Sequence, residues 1–209
     1  MITKRIQNVL SKLQKQSEYE DEYEQTIPHS ERMLAIRKDT GMFYNILLKS
    51  INAKNILEIG TSFGFSTLWF ADALLSKNKI DDCSIITIDS EPFKRQMAQK
   101  NFEEAGVNQI IKIKEGNAKS VLSELATDSK NKNFFDFVFI DADKENYIEY
   151  FDLCFPMVRK DGIIGADNIL FPEKFNSLMN EYVSHVRNHP NTQSVTIPID
   201  NGEEITIKI

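Results

Sequence analysis

Phe134–Lys144, FFDFVFIDADK, decides the fold. Six of its first seven residues are large and apolar, Asp136 being the exception, and Asp141, Asp143 and Lys144 then end the run. A short, nearly continuous apolar stretch reads as a strand buried on both faces, as in a parallel sheet covered by helices. Charges just past its carboxyl end lie where open α/β sheets bind ligands.

Outward from that strand the pattern alternates. Residues 55–59 (NILEI), 84–88 (SIITI), 110–113 and 162–166 (GIIGA) are further short apolar strands. Helical patterns separate them at 67–75, at 92–105 with Pro92 in the first turn and Gly106 as the stop, at 118–126, from Tyr147 onward, and near 174–188. Ahead of them, Ile6, Val9, Leu10 and Leu13 predict an amphipathic helix over about 2–15. The acidic run SEYEDEYEQ (17–25) reads as a linker or a solvated helix, and His29 as a polar loop residue. Asp39 is the expected N-cap of a helix carrying Phe43, Ile46, Leu47 and Leu48. At the far end, two β-rich runs, 192–199 and 203–209, flank Asn201-Gly202, a hairpin turn signal. The fold expected is α/β, a parallel sheet with an antiparallel pair at one edge.

Composition narrows the function classes. The chain has 209 residues, 41% hydrophobic and 27% charged, which suits one domain with a sizeable core, 31–209, and a helical extension, 1–30. No apolar stretch approaches the ~20 residues of a bilayer span. The first residues carry no secretion signal, so the expected location is cytoplasmic and membrane partners are not expected. Cys83 and Cys154 form no CxxC and read as reduced structural thiols. A net charge of −6 argues against broad nucleic-acid binding.

In a parallel sheet all strands end on one rim. Glu58, Asp89, Asp141 and Asp167 are therefore expected to converge there, where they repel one another unless something positive sits among them. The first strand–helix loop is Glu58-Ile-Gly60-Thr61-Ser-Phe-Gly64-Phe-Ser66, which lacks the GxGxxG of dinucleotide sites. Its glycines admit a ligand to the backbone, the following helix start suits a carboxylate with Ser66 as hydroxyl donor, and Asp89 suits the two hydroxyls of a ribose. A ligand with ribose, carboxylate and positive centre is S-adenosylmethionine. Asp141, Asp167 and Asn168 offer hard oxygen donors that suit Mg²⁺, Ca²⁺ or Mn²⁺; for Asp167-Asn168 a local turn is the alternative. Lys144, three residues past Asp141, can serve as proton acceptor beside a metal.

NILEIGTSFGFST, ITIDSEP, FDFVFIDADKENY and GIIGADNILF together resemble the cation-dependent O-methyltransferases of the catechol and caffeoyl-CoA type, over about residues 30–209. The resemblance implies the class I methyltransferase (Rossmann-like) fold, seven strands with the last antiparallel. It implies metal ligands Asp141, Asp167 and Asn168, and S-adenosylmethionine contacts at Ile36, Glu58, Gly60, Thr61, Gly64, Ser66, Asp89, Ala118 and Asp141. It makes Lys144 the general base, with Asp141, in methyl transfer to a small acceptor with adjacent hydroxyls, and implies a homodimer. A tRNA hydroxyuridine is the alternative acceptor. Gly41-Met42 stands where the family has Gly-Gln, and Pro172 where the plant enzymes have a polar acceptor contact.

Overall fold

The computed structural model describes residues 2–23 and 26–209. Its elements in chain order are α1 (Ile2–Glu22), α2 (Lys38–Ser50), β1 (Asn55–Ile59), α3 (Phe65–Leu75), β2 (Ser84–Asp89), α4 (Pro92–Ala105) and β3 (Ile111–Glu115). There follow α5 (Ala118–Thr127), β4 (Phe135–Ile140), α6 (Tyr147–Cys154), β5 (Val158–Ala166), α7 (Asn176–Asn188), β6 (Thr192–Ile197) and β7 (Glu203–Lys208). The seven strands take the order β3-β2-β1-β4-β5-β7-β6. The pairs β2–β3, β1–β4 and β4–β5 are parallel, and β5–β7 and β6–β7 antiparallel. This is the expected α/β sheet, with β7 placed between β5 and its hairpin partner β6.

The described residues form two compact units, one of residues 1–54 and 61–116, the other of 55–60 and 117–209. In the first, α1 is longer than its apolar spacing predicts, because the polar run after Leu13 stays helical to Glu22. Glu24 and Gln25 of the acidic run, and Met1, lie outside the described residues. Glu20 is buried and accepts the Met33 N–H at 2.6 Å, so the run is tied to the segment entering α2 rather than left as a linker. Asp39 is not the N-cap. Arg37 holds that position with extended backbone (φ −73°, ψ 160°), and Asp39 sits in the first turn, where its charge still favours the positive helix end. Gly106 ends α4 in the left-handed conformation (φ 75°), as expected of a helix stop.

In the second unit, Phe135, Phe137, Val138, Phe139 and Ile140 of β4 are fully buried, which is why that stretch reads as continuous apolar sequence. Asp136, the polar interruption, accepts the Asn55 N–H at 2.8 Å and the Arg159 Nε at 2.6 Å, so it fastens the start of β1 and the lower end of β5. β5 begins at Val158, four residues before the expected Gly162; Arg159, Lys160 and Asp161 are more exposed than the rest of the strand, which hides it from an apolar scan. α7 starts at Asn176, after a single 3₁₀ turn at Glu173–Phe175. Glu204 on β7 is fully buried. It is held by Arg187 of α7 (Nε 2.9 Å), by Ser194 Oγ (2.7 Å) and by the Thr196 hydroxyl, which locks α7 onto the hairpin.

Candidate active site

β1, β4 and β5 end in step. The Asp141 N–H donates to the Ile59 carbonyl at 2.9 Å and the Asp167 N–H to the Ile140 carbonyl at 3.1 Å. The ladder thus continues one residue past each strand. With Glu58 paired to Phe139 and Ile140 to Ala166, period-two alternation puts Glu58, Asp141 and Asp167 on one face of these strands. Glu58 lies one residue inside its strand rather than beyond it, and it is fully buried.

A fourth acid joins them. Ala166 pairs with Glu204 in the antiparallel ladder, so the next position puts Glu203 across from Asp167. Glu203 is fully buried, and its carboxyl hydrogen-bonds that of Asp167. Burial, followed by the charge of Asp141, pushes the Asp167 carboxyl up to about 7; the Glu203 hydrogen bond, Lys144 and the Asn168 N–H pull the other way. The Asn168 N–H meets Asp167 Oδ1 at 2.6 Å, and Asn168 takes a left-handed backbone (φ 64°), so the tight turn expected as an alternative is present. The turn leaves the other oxygen of Asp167 and the Asn168 amide as donors.

Lys144 answers this acidity. Its side chain is 9% exposed, and its Nζ donates to Asp141 Oδ1 (3.3 Å), the Ala142 carbonyl (3.0 Å) and the Tyr147 hydroxyl (2.7 Å). Tyr147 in turn donates to the Asp167 carbonyl at 3.2 Å, and Lys144 Nζ lies 4.8 Å from the centroid of the Tyr147 ring. Burying Asp167 close to Asp141, with the Lys144 ammonium bonded to Asp141, is costly unless a proton is shared or a cation is bound. Among the described residues no three His, Cys, Asp or Glu side chains could hold a metal ion. A metal site here would therefore rest on two carboxylates plus the Asn168 amide oxygen, a hard donor set that suits Mg²⁺ or Ca²⁺, and Glu203 would back Asp167 rather than ligate.

The expected cofactor loop runs from Gly60, in this unit, into the other. A Cβ on Gly60 (φ 105°) would overlap the Asp141 carbonyl oxygen, and one on Gly64 (φ 83°) would strike the Phe102 ring. Both glycines are thus required by close packing of the protein on itself, whatever their backbone offers a ligand. Within the first unit, Thr61 is buried, its N–H donating to the Ile88 carbonyl (3.2 Å) and its hydroxyl lying 2.6 Å from that of Thr87. Asp89 accepts the Ser62 N–H on one oxygen and the Glu91 N–H on the other, both at 2.8 Å. Each oxygen keeps a lone pair for a ribose hydroxyl. Ser66 lies in the first turn of α3, 7% exposed; Ile36 is 6% exposed; the Ser62 hydroxyl bonds the Met33 carbonyl. Ala118, in the second unit, is the first residue of α5, whose N-cap Asn117 accepts from the Ser120 N–H.

Sequence reasoning missed Tyr147 and Glu203. Tyr147 reads as one more apolar helix residue; its spacing of three from Lys144 at a helix start was the available signal. Glu203 follows the Asn-Gly turn, and only the hairpin register brings it to Asp167.

A family model described as O-methyltransferase matches residues 11–205. Caffeoyl-CoA O-methyltransferase 5 of Nicotiana tabacum is 40% identical over 148 residues, 71% of this chain and 60% of that protein. Caffeoyl-CoA O-methyltransferase of Petroselinum crispum is 38% identical over 168 residues, 78% of this chain and 68% of that protein. The chain thus spans about three fifths to two thirds of the length of these relatives. An O-methyltransferase from Bacillus cereus solved in complex with SAH superposes with a TM-score of 0.80 at 21% identity, covering 97% of this chain and 91% of that one, which establishes the shared fold. The chain belongs to the O-methyltransferase family.

Proposed function

We propose that this protein is an S-adenosylmethionine-dependent O-methyltransferase that requires a divalent cation and acts on a small acceptor with adjacent hydroxyls. The observation that carries the reading is the Lys144–Asp141–Asp167 cluster at the ends of β4 and β5, in a chain matched by the family model over 11–205. Asp141, Asp167 and Asn168 would hold the cation, Mg²⁺ before Ca²⁺ or Mn²⁺. Bound there, it supplies positive charge that makes the acceptor's hydroxyls more acidic. By the family pattern, Ile36, Glu58, Gly60, Thr61, Gly64, Ser66, Asp89, Ala118 and Asp141 serve the methyl donor.

In this mechanism Asp141 and Asp167 set the position of the acceptor's hydroxyls. Lys144 takes the hydrogen of the attacking hydroxyl, and Asp141 keeps its Nζ in place. The oxygen's electron pair then forms the new C–O bond to the donor's methyl as the C–S bond breaks, leaving S-adenosylhomocysteine. Holding both reactants in line accounts for much of the rate. The acceptor class follows the caffeoyl-CoA relatives, and Leu170 and Phe171, 49% and 57% exposed just past Asn168, offer apolar surface for an aromatic acceptor.

Residues 31–209 act in this reading as one catalytic domain with 1–30 as its extension, in a cytoplasmic homodimer. No helix among the described residues is long and apolar enough to cross a membrane. Met42 and Ile46, one turn apart and exposed on α2, suit a subunit contact, which light scattering after gel filtration checks. The test of function is methyl transfer from labelled donor to catechols, flavonoids, caffeoyl-CoA and bulk tRNA, with and without chelator. Turnover of a catechol, lost with chelator, is expected; labelling of tRNA alone would give the acceptor to a hydroxylated uridine, and full activity in excess chelator would remove the metal.

A further inference from the structure

The Lys144 ammonium has three N–H donors and three partners, so its hydrogen bonds are complete. Two partners, the Asp141 carboxylate and the Ala142 carbonyl, only accept. The third, the Tyr147 hydroxyl, can also donate, but its hydrogen is committed to the Asp167 carbonyl at 3.2 Å. That commitment leaves a lone pair facing Nζ, at 2.7 Å, the shortest of the three bonds. The ring behind the hydroxyl is fixed. Tyr147 is 1% exposed at the start of α6, and its ring meets Tyr182 of α7 edge-on at 5.5 Å. The hydroxyl therefore cannot swing away without disturbing packed aromatic side chains, and it joins the lysine to the end of the strand that carries Asp167.

We infer that Tyr147 is a positioning residue of the reaction: its hydroxyl, anchored on the Asp167 carbonyl, aims Lys144 Nζ and holds it beside Asp141. The inference rests on the reading of Lys144 as the base. Of the three partners of Nζ, the Tyr147 hydroxyl is the one fixed by packed rings, so it sets where the nitrogen lies beside Asp141.

Tyr147→Phe keeps the ring, its contact with Tyr182 and the cation–π contact, and deletes only the hydroxyl. The expected result is a kcat lowered about tenfold or more, the scale of a misplaced catalytic group, with acceptor and donor KM within about twofold of the native values and the melting temperature within a few degrees. A second readout needs no turnover. In protein free of metal and donor, reductive methylation of Lys144 with formaldehyde and borohydride, followed by peptide mass spectrometry, should be several-fold faster in Y147F, other lysines serving as internal controls. Native kcat and native Lys144 labelling in Y147F would overturn the inference. So would a parallel loss of kcat, KM and melting temperature, which marks a structural role. Lys144→Ala separates the two levels: an unchanged kcat there removes the base itself, whereas its loss beside a native Y147F removes Tyr147 alone.

Discussion

Asp167→Asn should make the cation-free protein more stable at pH 8 while removing its response to divalent cations. The Asp167 carboxyl titrates near 7 in the fold, against an ordinary value of 3.8, because it is buried and faces Asp141. Between these values the folded chain holds a proton that the unfolded chain has lost, so stability falls as pH rises from about 4 to about 7 and levels off above. A shift of about three units corresponds to about 4 kcal/mol at pH 8, an upper bound since neighbouring acids share the charge. Asparagine removes that charge and retains an oxygen for the Asn168 N–H. Taking half the bound, the variant should melt about 4–8 °C above the native protein at pH 8, and the gap should close by pH 4. Thermal melts from pH 4 to 8, repeated with millimolar Mg²⁺, measure this. Mg²⁺ should raise the native melting temperature at pH 8 and leave the variant's unchanged. A variant less stable than the native protein at pH 8, or a gap independent of pH, would refute the account of the acid cluster.

Asp141→Ala removes a proposed metal ligand and the carboxylate partner of Lys144, so kcat should fall below detection in a labelled-methyl assay while the circular dichroism spectrum stays native. Gly60→Ala forces a side chain into the Asp141 carbonyl at a positive φ, so the variant should lose several kcal/mol or fail to accumulate as folded protein, read by urea unfolding. Arg187→Ala strands the buried Glu204 carboxylate with hydroxyl partners only. Because Arg187 is itself partly exposed, the loss should be about 2 kcal/mol, or about 4–8 °C in melting temperature, whereas Glu204→Gln should cost less.

How much of this was legible in the chain depended on the range of the interaction. β4 is buried on both faces, so its residues carry the signal themselves, and Asp141 and Lys144 stand out as the charges that end it. Asp141 and Asp167 could be paired from topology alone, since parallel neighbours end on one side. Glu203 could not, because an antiparallel hairpin placed between β5 and the edge sets its register, and nothing within a few residues encodes that placement. The glycines were legible only in part for a related reason. A strand–helix loop rich in glycine looks made for a ligand, but that Gly60 and Gly64 also make room for the Asp141 carbonyl and the Phe102 ring, distant in sequence, is not written in the loop. Asp39 shows the limit of local rules: any of several polar residues can begin a helix, and the extended backbone at Arg37 made the choice.

The hairpin that hides Glu203 from the sequence also fixes the loop beside the acids. The Ile169 N–H donates to the Gly202 carbonyl at 2.9 Å and the Leu170 N–H to the Asn201 carbonyl at 2.8 Å, so the segment after Asn168 is laced to the β6–β7 turn. Gly202, at φ 88°, leaves the space that Leu170 fills. Asp167 and Asn168 are thus held between a strand end and a fastened loop, with Glu203 across the ladder. Two exposed apolar residues, Leu170 and Phe171, are carried at a fixed distance along the chain from the ligands. Acceptor choice and metal binding therefore share one structural element in this reading. Changes to the turn at Asn201-Gly202 should alter both together, while changes at Phe171 alone should alter acceptor KM without touching the cation, because the Phe171 side chain lies beyond the laced residues.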